Sequence, residues 1–138
     1  MVTKKNNNEL NSPKPNSVTD FISVWDTTKT SSVSSNVDQI YLPLLSSGTY
    51  DFSADWGDGN NNTITIYNEP SVKQTYSSQG QFTITINGTI KGWRFNDGGD
   101  QLKIVEISQW GCLQFGNDGA YFYGCSNLNL AADDAPDL

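Results

Sequence analysis

Three observations predict an all-β fold for this chain, with a β-sandwich followed by a short repeat segment. Short runs of alternating apolar and polar residues follow one another, and Asn, Ser, Thr and Gly fill the gaps between them. Up to residue 100, no run of apolar residues recurs at the 3.6-residue period of a helix. Beyond residue 100, an apolar pattern occurs twice. The first copy begins at position 102 and the second at position 125.

The chain of 138 residues divides into three predicted parts. Residues 1–18 are polar and contain Pro13 and Pro15, which predicts a disordered leader or linker. Residues 19–97 hold the predicted sandwich, and residues 98–138 hold the repeat segment. We expect the natural protein to continue beyond that segment, because one repeat cannot bury its own apolar face.

Seven strands are predicted in the sandwich from period-two alternation and from the turn residues between the runs. A Ser/Thr-rich loop follows the first strand, and Asn87-Gly88 predicts a hairpin between the last two. The predicted strands are Asp20–Asp26, Val37–Leu45, Tyr50–Trp56, Thr63–Tyr67, Val72–Tyr76, Gln81–Asn87 and Thr89–Phe95.

The turn at Asp55-Trp56-Gly57-Asp58-Gly59 is the point around which the sandwich is organised. The glycines allow positive φ angles, and the aspartates can accept hydrogen bonds from their own backbone. These residues therefore predict a tight turn, with the Trp56 indole closing the core at the strand end. An alternative use of Asp55, Asp58 and Asn60 is as oxygen ligands for Ca²⁺, although a structural role is favoured.

The repeat segment carries an L-x-x-L-x-L pattern twice. The second copy lies 23 residues after the first, and we call this spacing the repeat offset. It relates Leu102, Val105 and Ile107 to Cys125, Leu128 and Leu130. This spacing is typical of leucine-rich repeats, so the tail is predicted to begin a solenoid. Cys112 could pair with Cys125 in an exported protein, but the repeat-core position of Cys125 favours free thiols.

Charge and composition exclude several classes of function. The net charge of −7 argues against nucleic acids and anionic membranes as partners. The chain has no histidine, the commonest general base and transition-metal ligand. Asp51, Asp55 and Asp58 lie close enough in sequence to suggest glycoside hydrolysis, but nothing desolvates one of them to make an acid. We therefore predict no catalytic residues, no cofactor other than possible Ca²⁺, and no membrane insertion.

Aromatic residues are the candidates for ligand contact, because exposed rings can stack on sugars. Trp25 and Trp56 are predicted to be core residues, as large rings usually are. Trp93 lies between charged residues, and Trp110 lies near the junction with the repeat segment. The predicted binding residues are Trp93, Trp110 and Tyr121, with core packing as the alternative.

Two resemblances extend over residues 20–138. Trp56-Gly57-Asp58-Gly59, Thr75-Tyr76 and Gly80-Gln81-Phe82 resemble the motifs of the polycystic-kidney-disease (PKD) domain, with Gln74 where many members carry His. Phe122-Tyr123-Gly124-Cys125-Ser126-Asn127-Leu128 and the ending Asp134–Leu138 resemble BspA-like leucine-rich-repeat surface proteins.

These resemblances imply an immunoglobulin-like sandwich that belongs to a bacterial surface protein, with its signal or anchor outside this segment. They imply a non-catalytic, monomeric, extracellular module that binds a protein or polysaccharide on a cell or matrix surface and supports adjacent leucine-rich repeats. The alternatives are a carbohydrate-binding accessory domain of a secreted enzyme and an inert spacer.

Overall fold

The computed structural model describes residues 17–138, so the predicted leader lies outside the described residues except for its last two positions. The described part contains nine strands and a 3-10 helix at Pro70–Val72. The strands are β1 (Phe21–Asp26), β2 (Gln39–Tyr41), β3 (Thr49–Asp55), β4 (Asn61–Ile64), β5 (Lys73–Thr75), β6 (Gln81–Lys91), β7 (Ile104–Gln109), β8 (Leu113–Gln114) and β9 (Asn129–Leu130).

The strands form a large mixed sheet and a small antiparallel one. The large sheet has the order β4-β3-β6-β1-β7-β9, with β8 paired to β6, and the small sheet pairs β2 with β5. Ile40 from β2 is fully buried in the same apolar cluster as the inward residues of the large sheet. The predicted all-β class is confirmed, and the arrangement is compatible with a β-sandwich.

Strand β3 shows how the sequence selects the buried face. Its residues alternate strictly between exposed and buried positions, with Tyr50, Phe52 and Ala54 inward. Trp56 continues this face and is completely buried. Because successive side chains in a strand point to opposite faces, the period-two pattern was sufficient to predict the core side of β3.

Strand β1 lies at the centre of the large sheet. It pairs antiparallel with β6 on one side and with β7 on the other. Its Phe21 and Trp25 are fully buried, and they share one core with Ile104 and Ile107 of β7. Strands from both predicted segments, residues 19–97 and 98–138, therefore belong to one sheet and share one core.

The predicted hairpin at Asn87-Gly88 is wrong. Strand β6 runs through both residues without turning, and Gly88 pairs with Phe52 of β3. Gly88 has a φ of 123°, and a Cβ atom at this position would lie 2.5 Å from the Asp51 carbonyl oxygen. Glycine is needed here because the two backbones approach closely, which gives the same sequence signal as a turn.

Other predicted strands differ in their bounds. The fourth begins at Asn61 rather than Thr63, because the Trp56 amide donates to the Asn60 carbonyl and closes the turn early. The second and fifth are reduced to the three-residue strands β2 and β5. Pro43 ends the first of these, and the 3-10 helix replaces the start of the other.

The parallel pairings of the sheet share the repeat offset. They are Ile90 with Leu113, Lys91 with Gln114, Glu106 with Asn129, Ile107 with Leu130, and an isolated bridge between Gln114 and Asp137. Of the three predicted alignments, that of Ile107 with Leu130 is confirmed, whereas Leu102, Cys125 and Leu128 lie outside the paired strands. The strands β8 and β9 are only two residues long, and residues 17–138 contain no leucine-rich solenoid.

A buried lysine ties the long loop after β1 to the sheet. Lys103 is 0% exposed, and its Nζ donates to the carbonyl oxygens of Asn36 and Gln39 at 2.6 and 2.7 Å. The same Nζ lies 2.9 Å from Ser35 Oγ and 4.0 Å from the Asp100 carboxylate. Burial lowers the pKa of Lys103, while the Asp100 carboxylate opposes that shift.

Candidate functional site

The turn at Trp56-Gly57-Asp58-Gly59 is held by three buried or part-buried contacts. Trp56 Nε1 donates to Asn62 Oδ1 at 2.9 Å, which satisfies the polar atom of a completely buried ring. The Tyr76 hydroxyl donates to the Trp56 carbonyl at 2.9 Å. Gly57 has a φ of 83°, and a Cβ atom there would collide with the backbone of Thr83. The motif residues thus fix the turn against Tyr76, just after β5, and against β6.

The other two motif residues support the same turn. The ring of Phe82 stacks on that of Tyr76, with ring centres 3.8 Å apart and an angle of 16° between their planes. Gly80 donates its amide to Thr27 Oγ1 at 2.9 Å and accepts from the Thr27 amide, so the chain entering β6 is fixed to the end of β1.

The possible Ca²⁺ ligands are engaged in shaping the turn. Asp55 Oδ1 accepts from the Gly57 amide, and Asp58 Oδ1 accepts from the Asn60 amide, each at 3.0 Å. Asp58 Oδ2 accepts from Gln74 Nε2 at 2.8 Å, so the residue that stands where many PKD domains carry histidine also stabilises the turn. Desolvation opposes a fall in the pKa of Asp58, but these hydrogen bonds outweigh it and the pKa is lowered.

No acidic cluster with metal-site geometry occurs in the described part of the chain. Within residues 17–138, no group of three or more His, Cys, Asp or Glu side chains is placed to hold a metal ion. Asn60 is exposed, as is Asp55. Whether this turn binds Ca²⁺ stays a prediction for experiment.

Two of the three aromatic residues predicted to bind a ligand are core residues. Trp93 is 0% exposed and packs edge-on against Phe21 at 5.3 Å and Phe95 at 5.7 Å between ring centres. Trp110 is 8% exposed and packs against Phe115 at 5.6 Å. Neither ring offers a face to a ligand, because the surrounding aromatic side chains cover them.

Tyr121 lies at the surface of a polar depression. It is half-buried, and its hydroxyl donates to the Gly116 carbonyl at 2.8 Å. It lines a cleft of about 330 Å³ together with Lys91, Gln114 and Asn117. A second cleft, of about 270 Å³, shares Lys91, Gly116 and Asn117 with the first.

These two clefts are neighbours that share lining residues, and we call the pair of them the Lys91 groove. Exposed Ser47 donates to Asp118 in its second cleft at 3.0 Å. The groove offers a cation, amide groups, carboxylates and the half-buried rings of Phe115 and Tyr121, which are groups that can contact sugar hydroxyls and ring faces. It is the place where the structure brings a predicted binding residue together with polar side chains.

Three carboxyl groups lie in surroundings that do not suit a general acid. The pKa values of Asp58, Glu69 and Asp134 are all shifted downward. Partial desolvation opposes the fall in the pKa of Asp134. The amides of Trp110 and Gly111 donate to its two oxygens at 2.9 Å, and these hydrogen bonds outweigh the desolvation and lower the pKa. A general acid in glycoside hydrolysis needs a raised pKa, so these three groups do not suit that role.

Both cysteines are free thiols in the structure. Cys112 Sγ lies 3.5 Å from the Ile86 carbonyl oxygen, and burial raises its pKa. Burial together with the negative charge of Asp97 raises the pKa of Cys125 to about 12. Their thiolate forms are disfavoured at neutral pH, which does not suit nucleophilic catalysis or metal binding.

Arg94 is a site residue that the sequence reasoning missed. The sequence places it beside Trp93. In the structure Arg94 faces a cleft with Tyr41 and Pro43, and its Nε atom is buried without a hydrogen-bond partner. The signal that could have found it is the alternation that buries Trp93 and Phe95 and turns Arg94 the other way.

Comparisons with protein-family models, with curated proteins and with solved structures find no match to this chain. Over residues 17–138, no helix combines the length and apolar character that a membrane span requires. The PKD and BspA-like resemblances therefore rest on the motif residues themselves.

Proposed function

We propose that this chain is a non-catalytic, extracellular module of a bacterial surface protein that supports a ladder of leucine-rich repeats and presents a ligand-binding surface beside it. The observation that carries the proposal is the repeat offset that the parallel pairings have in common. A constant offset between parallel strands is what a solenoid needs, because each turn stacks on the one before it.

The sandwich supplies the apolar surface that a first repeat lacks. Ile107 and Leu113 are completely buried, and both are paired at the repeat offset. Leu130, one offset beyond Ile107, is 63% exposed. A further strand stacked on β9 would cover Leu130 in the way that β9 stacks on β7, which gives the module the role of an end cap.

Fusion to designed repeats tests the capping role. Three idealised leucine-rich repeats, each as long as the repeat offset, are joined after Leu138 in register with the pairing of β7 and β9. We expect the repeats to unfold in urea together with the sandwich, whereas the same repeats alone stay unfolded. Repeats that stay unfolded when attached would refute the capping role.

A matched variant separates capping from general stability. Leu130→Asp should change the stability of the unfused chain by less than about 0.5 kcal/mol, because Leu130 is exposed there. In the fusion, the same charge would be buried between strands and should uncouple the repeats. An equal change in stability in the unfused chain and in the fusion would contradict the proposed stacking on β9.

A carbohydrate-binding accessory role is the second candidate, and the Lys91 groove supports it. An array of glycans and matrix proteins, probed with Ca²⁺ and with chelator, tests the ligand-binding half of the proposal. Tyr121→Ala and Lys91→Ala should each weaken a hit located in the groove, and a loss of binding in chelator would support a Ca²⁺ site at Asp58. Absence of any hit would leave an inert spacer.

A further inference from the structure

A cleft around Arg94 holds a cation that forms no ion pair with the residues at positions 17–138. The cleft has a volume of about 310 Å³, at the small end of the range for ligand pockets. Tyr41 and Val33, which are 45% and 59% exposed, contribute to its walls together with Pro43. The Arg94 amide donates to the Pro43 carbonyl at 3.1 Å, which fixes the backbone from which the guanidinium projects.

The Arg94 guanidinium has no acidic partner in the described part of the chain. The side-chain ion pair there joins Lys103 to Asp100, and it does not involve Arg94. Arg94 Nε is buried and donates no hydrogen bond. Arg94 as a whole is half-buried and lines the cleft, so a ligand there meets the partly exposed part of its side chain.

Asp100 also borders the cleft, but its carboxylate is fully used elsewhere. Its Oδ1 accepts from the Ser35 amide, and its Oδ2 accepts from Ser35 Oγ and the Tyr41 amide, all at 2.7 Å. Its side chain is 0% exposed. The charge that faces the cleft is therefore that of Arg94, in a chain whose net charge is −7.

We propose that the Arg94 cleft binds the carboxylate of an acidic sugar residue. A guanidinium matches a carboxylate through two parallel hydrogen bonds. The exposed Tyr41 ring can lie against the sugar ring while the carboxylate meets Arg94. The proposal rests on the ligand-binding role in the proposed function and names the class of ligand. It does not depend on the capping role.

An extended peptide suits this cleft less well than a compact ring. A peptide that adds to a sheet edge needs free backbone donors and acceptors along it. The edge next to the cleft is that of β2, where the Tyr41 amide already donates to Asp100 Oδ2 at 2.7 Å. The Leu42 amide donates to the Val72 carbonyl, so neither of these backbone amides beside the cleft is free to bind a peptide.

Titration with two acidic saccharides tests the proposal and distinguishes two sources of the carboxylate, uronic acids and sialic acids. The probes are a galacturonic acid trimer and 3′-sialyllactose, each compared with its carboxyl methyl ester. We expect saturable binding of at least one acid, a shift of the Arg94 Nε–Hε resonance in NMR spectra, and binding at least about tenfold weaker for the ester.

Variants of Arg94 complete the test. Arg94→Met keeps an apolar stem and should weaken binding of the acid about tenfold or more, while Arg94→Lys should recover only part of it because a lysine cannot form the fork. Lys29→Met removes an exposed cation outside the cleft and should leave binding unchanged. Melting curves of each variant confirm that it is folded.

Several outcomes would overturn the proposal. They are equal binding of acid and ester, undiminished binding by Arg94→Met, no saturable binding of either saccharide at millimolar concentration, and tighter binding of a short peptide through its terminal carboxylate. An array hit that depends on Lys91 and Tyr121 but not on Arg94 would leave the proposed function standing and this inference refuted.

Discussion

Replacing Lys103 with methionine should be among the most damaging single changes in this protein. Lys103 Nζ is surrounded by the carbonyl oxygens of Asn36 and Gln39, the Ser35 hydroxyl and the Asp100 carboxylate, and the side chain is 0% exposed. Methionine has a similar length but donates no hydrogen bond. The change would leave buried acceptors without a donor and a buried carboxylate without its cation.

The expected loss follows from that geometry. Removing one partner of a buried ion pair typically costs about 3–5 kcal/mol, and the carbonyl groups left without Lys103 are part of that cost. A domain of this size has a total stability of about 5–15 kcal/mol. The variant should therefore lose about a fifth or more of its stability and melt about 10–20 °C lower.

Urea unfolding followed by tryptophan fluorescence measures this loss, since Trp25, Trp56 and Trp93 are completely buried. Lys29→Met is the matched control, because Lys29 is exposed and should cost less than about 0.5 kcal/mol. Adding Asp100→Asn to Lys103→Met should recover part of the loss, because the uncompensated charge is removed. A loss below about 1 kcal/mol in the single variant would refute the reasoning.

Three further predictions concern other parts of the fold. Tyr76→Phe should cost about 1–2 kcal/mol in urea unfolding, because it removes a buried hydrogen bond to the turn, and an unchanged midpoint would contradict this. Gly88→Ala should cost about 2 kcal/mol or more, while Gly59→Ala, which also has a positive φ but open space around it, should cost about half as much. In a Cys112→Ser background at pH 8, Cys125 should react with iodoacetamide on the order of a thousandfold more slowly than in urea, because its pKa is raised to about 12. A rate within tenfold of the unfolded rate would show that the thiol is accessible.

Sequence alone was sufficient where one local rule decides the structure. The alternation from Tyr50 to Trp56 predicted both the strand and its buried face, since a half-buried strand repeats every two residues. The repeat offset, read from Leu102 and Cys125, predicted that Ile107 pairs with Leu130. Neither prediction needed knowledge of a distant segment.

The remaining features depend on which segments meet in space. Gly88 gives the sequence signal of a turn, and only its pairing with Phe52 shows that it serves a close approach between strands. Arg94 becomes a candidate site residue because the segment around Pro43 packs against it. The pairing of Ile90 with Leu113 has the repeat offset but lacks the L-x-x-L-x-L pattern, so no sequence motif predicted it.

The central position of β1 sets the order in which the molecule can fold. β1 is made first on the ribosome, yet its two neighbours, β6 and β7, are among the last strands to be made. Contacts such as that between Asp20 and Asn87 close a loop of 67 residues, and such long closures slow folding. A growing chain offers β1 its first partner only when β6 has been made, and its second only when β7 ends at residue 109. The large sheet can therefore be completed around β1 only after most of the chain has been synthesised.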